Sequence, residues 1–579
     1  MKDRSYARFS FSQRVWPRLL AGLCVFCAAV AQTKAASRPN VIIILADDMG
    51  FADLGCYGGE IHTPNIDKMA AEGLRFAQFY NMARCCPTRA SIMTGLYPHE
   101  AGIGAMNQKL GKKPQYEGEL DSDHCVTVAE VLRDAGYHTG MVGKWHLVHL
   151  TIAALPHDKA QAALDFQSDI PISPNEANWP YNRGFEEHWG TIAGVDDYYD
   201  PYSLVHNAQI IRPDKPDFYY TDFITDHAVR LIDGYAADSS RPFFMYVAYT
   251  APHWPMQAPE ADIDRYRNVY NVGWDVIRQQ RYDRQVAMGM CKREWGLSPR
   301  AFLTSLNDGD SKVGPWVTAP AKAWQARRMA IYAAMIEIMD RGVGRIMSEL
   351  RDRGLDDNTM VMFLSDNGAS QEQVKPGWYD IPQHTRDGRA IAVGNLSNLS
   401  PGPETVYQSY GPAWANVSNT PLRRFKHFTE EGGISTPFVV RWPGIVKQVG
   451  QIQHEQIGDV IDLMPTVLAA AGASYPTSFR GHTVWPEEGI SLLPVIEGSP
   501  TIPRPTPLCW EHEGNRAVRI GDWKMVAAHQ EPWQLYNISD DRTELHDLAD
   551  RYPEKVRELK SAYDAWEKRV GVEEWPIPD

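Results

Sequence analysis

Cysteine is scarce, with eight thiols in 579 residues, so no disulfide framework can stand in for a hydrophobic core in a chain this long. Positive charge is also in deficit. Lys and Arg number 58 against 72 Asp and Glu, a formal net charge of −14, which argues against a protein that grips nucleic acid or an anionic membrane by bulk electrostatics. An anionic ligand would need a local basic site instead. Glycine and proline, 44 and 40 residues, stay far below collagen-like or low-complexity proportions, and 44% hydrophobic with 22% charged residues excludes the disordered class. No apolar run reaches the roughly 20 residues a membrane helix needs. What is present is enough chain for roughly two to four domains, or for one large α/β domain with an appendage.

The N-terminus carries Lys2, Arg4, Arg8, Arg14 and Arg18 against Asp3, followed by an apolar stretch over 19–31 that ends in Ala29-Val30-Ala31. This order of basic segment, short apolar stretch and small-residue site is expected of a secretory signal peptide spanning 1–31. The product is then exported, periplasmic or extracellular, with no permanent membrane span. It would be more acidic still, and would retain Cys56, Cys85, Cys86, Cys125, Cys291 and Cys509.

Continuous apolar runs of strand length recur at 40–46, 242–248 and 359–364, as in strands buried on both faces of a parallel sheet. Helix-period stretches lie between them, at 126–135 and at 323–353, the second stopped by Gly354. Alternation of this kind predicts a doubly wound α/β domain, placed at 38–475. The Gly- and Pro-rich stretch 476–507 reads as a linker, and 508–579 as a smaller C-terminal α+β subdomain ending in a charged helix near 553–570. Residues 371–412 are too long for an ordinary connection and are expected to form a lid or substrate loop.

Two of the apolar runs end in oxygen-bearing side chains: Asp47-Asp48 after the first and Asp366-Asn367 after the third. Either pair alone is the ordinary make-up of a turn or helix N-cap. Ligands of α/β sheets bind at the carboxyl ends of strands, so two such pairs at two strand ends suit a hard cation, Ca²⁺ or Mg²⁺. A third segment reads Cys85-Cys86-Pro87-Thr88-Arg89-Ala90-Ser91-Ile92-Met93-Thr94-Gly95. Adjacent cysteines in an exported protein are ordinarily a buried pair or disulfide partners, but that does not account for the residues that follow them. The pattern C-x-P-T-R-x-x-x-M-T-G resembles the signature of formylglycine-dependent sulfatases, in which the first cysteine is oxidised to an aldehyde.

Further elements follow in the family's order and are similar to those of bacterial arylsulfatases: Gly143-Lys144-Trp145-His146, Ala251-Pro252-His253-Trp254-Pro255, and the stretch from Asn419 to Lys426 with Glu430 to Pro437 behind it. The resemblance extends over about 39–548. It implies an alkaline-phosphatase-like α/β fold, a large mixed, mostly parallel sheet flanked by helices. It also implies that a formylglycine-generating maturation enzyme converts Cys85 to 3-oxoalanine (formylglycine). One Ca²⁺ per chain would be held by Asp47, Asp48, Asp366, Asn367 and the matured Cys85 side chain. Cys85, Arg89, Lys144, His146, His253 and Lys426 would be catalytic, acting on an aryl or carbohydrate sulfate ester. In the chemistry so implied, the hydrated aldehyde attacks sulfur with Asp366 as base, His253 or Lys426 gives the leaving alcohol its proton, and His146 returns the enzyme to the aldehyde. Two rival readings remain: a formylglycine-dependent phosphonate or phosphodiester hydrolase of the same superfamily, and a non-catalytic sulfoglycan-binding protein.

The chain departs from the family pattern at Val148, where glycine is usual, and 148–180 reads as an inserted loop near the pocket mouth. Cys86 adds a second thiol beside the one to be converted. Trp254, Trp378, Tyr407 and Trp414 suit either stacking on a substrate or ordinary packing.

Overall fold

All seven residues of Asn40–Ala46 (β1) are buried, which requires a strand neighbour on each side and a covering layer on each face. The structure, a computed structural model, describes residues 38–150, 157–165, 176–213, 215, 217–300, 302–303, 311–378 and 381–577. The signal peptide expected at 1–31 lies outside these residues, as do 151–156 and 166–175 of the inserted loop. Among the described residues no helix is long and apolar enough to cross a membrane.

Ten strands form the main sheet. After β1 come Leu74–Phe76 (β2), His138–Gly143 (β3), Glu187–Thr191 (β4), Leu204–His206 (β5), Gln209–Ile210 (β6), Phe243–Ala248 (β7), Thr359–Ser365 (β8), Phe438–Arg441 (β9) and Ile452–Gln453 (β10). Their spatial order is β10-β2-β9-β8-β1-β7-β3-β4-β5-β6. The central run from β8 to β4 is parallel throughout, with antiparallel pairs on either side of it. Ala46 stands opposite Ser365, Leu45 opposite Ala248, and Ala248 opposite Gly143. In this register the residues that follow β1, β3, β7 and β8 all emerge along one edge.

Alternate residues of β1 serve opposite cores, Val41, Ile43 and Leu45 on one face and Ile42, Ile44 and Ala46 on the other. Helices Cys85–Thr94 (α1) and Val128–Asp134 (α2) contribute to the first core; Tyr220–Ala237 (α3) and Lys322–Asp352 (α4) contribute to the second. Leu463–Ala471 (α5) joins α1 and α2. The result is a three-layer α/β architecture. The helix expected at 323–353 is α4, and Gly354 beyond it takes the left-handed conformation (φ 68°) that glycine adopts without strain.

A second, antiparallel sheet of Leu508–His512 (β11), Asn515–Ile520 (β12), Trp523–Ala527 (β13) and Gln534–Asn537 (β14) is backed by helix Pro553–Val570 (α6). Its apolar residues, Val518 and Met525 among them, belong to the same core as α1 and α2. The stretch 476–507 contains a two-residue-per-strand hairpin and a short helix whose Val495 and Ile496 are buried in that core.

A buried charge network joins the second sheet to the first. Lys524 donates to Glu431 (3.0 Å) and Glu544 (2.9 Å), while Arg542 and the Tyr80 hydroxyl each donate to the other Glu431 oxygen (3.0 Å). These side chains are cut off from water. Lys524→Met would leave Glu544 and one oxygen of Glu431 without their ammonium partner, and breaking a buried pair in this way costs about 3–5 kcal/mol. Denaturant unfolding of this variant is expected to show a loss of that size; a loss well under about 1 kcal/mol would mean that the network does not hold the sheets together.

Candidate active site

At the carboxyl edge of the central strands, β1 runs into Asp47 and Asp48, β8 into Asp366 and Asn367, and β3 into Lys144 and His146. His253 lies in the loop after β7. Cys85 begins α1 because Arg84 before it is extended (φ −150°, ψ 154°). Pro87 falls in the first turn, where its missing N–H leaves no hydrogen bond unmade. Lys426 comes from the segment between α4 and β9. All these side chains, and Arg89, belong to residues that are 0–5% exposed. The fold thus gathers every sequence-predicted site residue into one buried cluster.

Within it, the carboxylates and cations alternate. Arg89 donates through Nε and Nη2 to Asp366 Oδ2 (3.0 and 2.8 Å) and through Nη1 to the Lys144 carbonyl (2.8 Å). The Lys144 ammonium sits against Asp47. Lys426 Nζ is 3.0 Å from Asp48 Oδ1, His253 Nε2 is 3.4 Å from Asp48 Oδ2, and Asn367 Nδ2 donates to Asp48 Oδ1 at 2.7 Å. Asp366 Oδ1 accepts the Asp48 N–H (3.3 Å). Asp48 and His146 hold left-handed backbones (φ 64° and 62°), a strained conformation for non-glycine residues that concentrates at functional sites.

Burial and the neighbouring Asp47 push the Asp366 carboxyl well above the usual carboxylate range. Burial also works to raise Asp47, but Lys144, His253 and Arg89 hold it below its ordinary value. A hydrogen bond from Cys86 draws the Cys85 thiol well below the usual thiol range, against burial and with help from His146 and Lys144. Burial lowers His146 to about 4, so its imidazole is neutral near pH 7. For Lys426, burial opposes the charge, yet Asp48 and Glu372 raise it above the ordinary lysine value.

The site's chemistry fits a hard cation. Asp47 Oδ1 and Asn367 Oδ1 are buried without a hydrogen-bond partner among the described residues, and buried oxygens are seldom left bare. With Asp48 and Asp366 they make an all-oxygen donor set of the kind Ca²⁺ takes.

Cys85, His146, His253 and Lys426 line a cavity of about 600 Å³; Arg89 and Lys144 lie behind it with the carboxylates. Glu372, Arg84 and His427 were not foreseen. Glu372 lines the cavity and accepts from Trp254 Nε1 (2.7 Å) and Lys426 (3.3 Å), with His427 3.4 Å and Arg84 3.5 Å away. The only sequence signal for it was its place in the loop at 371–412. Both unusual loops reach the mouth: His149, Leu150 and Leu164 from one, Trp378 and Ile381 from the other. Asp165 ties them by accepting the N–H groups of Gln383 (2.6 Å) and His384 (3.0 Å). Trp254 and Trp378 face the cavity, whereas Tyr407 and Trp414 are wholly buried and pack in the core.

A family model described as Sulfatase matches residues 39–473. The chain belongs to the sulfatase family. It is 32% identical over 553 residues to an uncharacterized sulfatase of Schizosaccharomyces pombe, covering 93% of this chain and 95% of that protein. It is 33% identical over 479 residues to an arylsulfatase of Klebsiella aerogenes, covering 82% and 95%. Among solved structures it is similar to Ps i-CgsB in complex with k-i-k-neocarrahexaose, with a TM-score of 0.61, 24% identity, and 93% and 94% of the two chains covered. That likeness shows the fold, which is alkaline-phosphatase-like. This sulfatase is a sulfuric ester hydrolase, with aryl and carbohydrate sulfatases among its relatives.

Gly194 of the sulfatase is needed for a steric reason. A Cβ there would lie 2.1 Å from His146 Nε2, so Gly194→Ala must displace the imidazole. A misplacement of about 1 Å costs on the order of 10²-fold in rate. Steady-state kinetics of this variant are expected to show a kcat loss of that order with an unchanged melting temperature; unimpaired turnover would remove His146 from the mechanism.

Proposed function

We propose that this sulfatase is exported and hydrolyses aryl or carbohydrate sulfate monoesters through a formylglycine made from Cys85. Its one Ca²⁺ is assigned to Asp47, Asp48, Asp366, Asn367 and the matured Cys85 side chain. The observation that carries the reading is the convergence of Cys85, His146, His253 and Lys426 on one cavity above the carboxylates. The N-terminal segment supports export.

Cys85 Sγ stands in for the oxygens of the matured side chain. The hydrated aldehyde, once formed, would supply one hydroxyl to attack sulfur and a second whose deprotonation would release sulfate and restore the aldehyde, an exit that a serine or cysteine ester lacks. Ca²⁺, when bound, supplies positive charge where an anionic ester must be held.

The remaining roles follow from position. Asp366, held by Arg89 through one oxygen and by the Asp48 N–H through the other, is assigned both as a ligand of the cation and as the base that takes the proton of the attacking hydroxyl. Arg89 and Lys144 position the carboxylates. His253 Nδ1 donates to the Trp254 carbonyl (2.5 Å) while Nε2 faces Asp48. With Nδ1 held by that carbonyl, Nε2 is the ring nitrogen turned toward the site, and His253 is assigned the proton for the leaving alcohol. Lys426 keeps its charge and steadies the sulfate oxygens. His146, neutral and beside Cys85, takes the proton that ends the cycle.

Cys85→Ala is expected to abolish turnover, and Lys426→Ala to lower kcat by about 10²–10³-fold, the loss typical of removing one charge-stabilising donor. Mass spectrometry of the peptide bearing Cys85 in active enzyme should give a species about 18 Da lighter than the cysteine form. Full activity with an intact thiol would overturn the formylglycine reading.

A further inference from the structure

Cys86 has no part in the reaction above, yet it is completely buried beside the reacting residue. The Sγ atoms of Cys85 and Cys86 and a ring nitrogen of His146 all lie within 4.8 Å of one another. Met106 Sδ is 3.3 Å from Cys86 Sγ. His146 Nδ1 is buried without a hydrogen-bond partner among the described residues. None of the described cysteines is disulfide-bonded. Two thiols, an imidazole and a thioether form a sulfur- and nitrogen-donor set, opposite in character to the all-oxygen set of Asp47, Asp48, Asp366 and Asn367. Ligands of this kind select zinc, cadmium or copper(I) over calcium or magnesium.

We propose that the unconverted chain binds one soft or borderline cation through Cys85, Cys86 and His146, with Met106 beside them. A divalent ion binds both sulfurs as thiolates, any thiol proton they still carry passes to solvent, and no redox change occurs. The nearby cations are already engaged, Lys144 by Asp47 and Arg84 by Glu372 and Glu513, and the two thiolates offset their repulsion. Conversion of Cys85 to an aldehyde deletes one of the three ligands, so the site belongs to the immature protein alone. The inference does not require that Cys85 ever be converted.

The test uses the full chain produced without the maturation enzyme and titrated with Cd²⁺ alone. Thiolate-to-metal charge-transfer absorption should saturate at one equivalent, vanish in Cys85→Ser and in Cys86→Ser, and shift to higher cadmium concentration in His146→Ala. No band, or an undiminished band in Cys86→Ser, would overturn the proposal. X-ray absorption at the cadmium edge of the wild-type complex needs no variant: a shell containing sulfur and nitrogen supports the site. An all-oxygen shell assigns the ion to the carboxylates and overturns it.

Discussion

In the wall of one cavity and directly behind it, the carboxylates of Asp47, Asp48 and Asp366 and the cations of Arg89, Lys144 and Lys426 are buried together. Burying so many charges is tolerable only if each is paired and hydrogen-bonded, and the arrangement of the sheet makes that possible. Four neighbouring strands deliver their following residues to one edge in register, and α1 brings Arg89 between Asp366 and the Lys144 carbonyl. The formal charges of the six groups cancel. A neutral cluster has no surplus attraction for a sulfate ester, whereas a divalent cation on the bare oxygens of Asp47 and Asn367 would provide one.

The fold was legible wherever burial on both faces removed polar residues. The runs expected at 40–46, 242–248 and 359–364 correspond to Asn40–Ala46, Phe243–Ala248 and Thr359–Ser365. The short strand His138–Gly143 was not, because His138, Thr139 and two glycines break up its apolar pattern. The candidate site was legible through linear motifs, each set at a strand end or the start of a helix. Glu372, Arg84 and His427 carry no such pattern. Single charged residues in loops acquire meaning only when the chain folds them against Lys426. Composition likewise could not separate Trp254 and Trp378, which face the cavity, from Trp414 and Tyr407, which fill the core.

The net charge of −14 and the positively charged residues of the pocket act at different ranges. Charge over the whole surface governs encounter with large polyanions and is screened within about 8–10 Å at physiological salt, whereas the buried cations act at contact distance. An acidic exterior works against holding long sulfated polymers along their length. The two loops tied together through Asp165 narrow the approach, and the tryptophans at the mouth offer flat apolar faces to an aryl or sugar ring.

The central claim is that a cation completes the carboxylate cluster. Its most direct test is calorimetric titration of metal-free protein with Ca²⁺, alongside the Asp48→Asn and Asn367→Ala variants. The account predicts one Ca²⁺ per chain, with heat of binding and thermal stabilisation lost together in both variants and activity restored to the metal-free wild type. Full activity after complete metal removal, or Ca²⁺ binding unaffected by both substitutions, would contradict it.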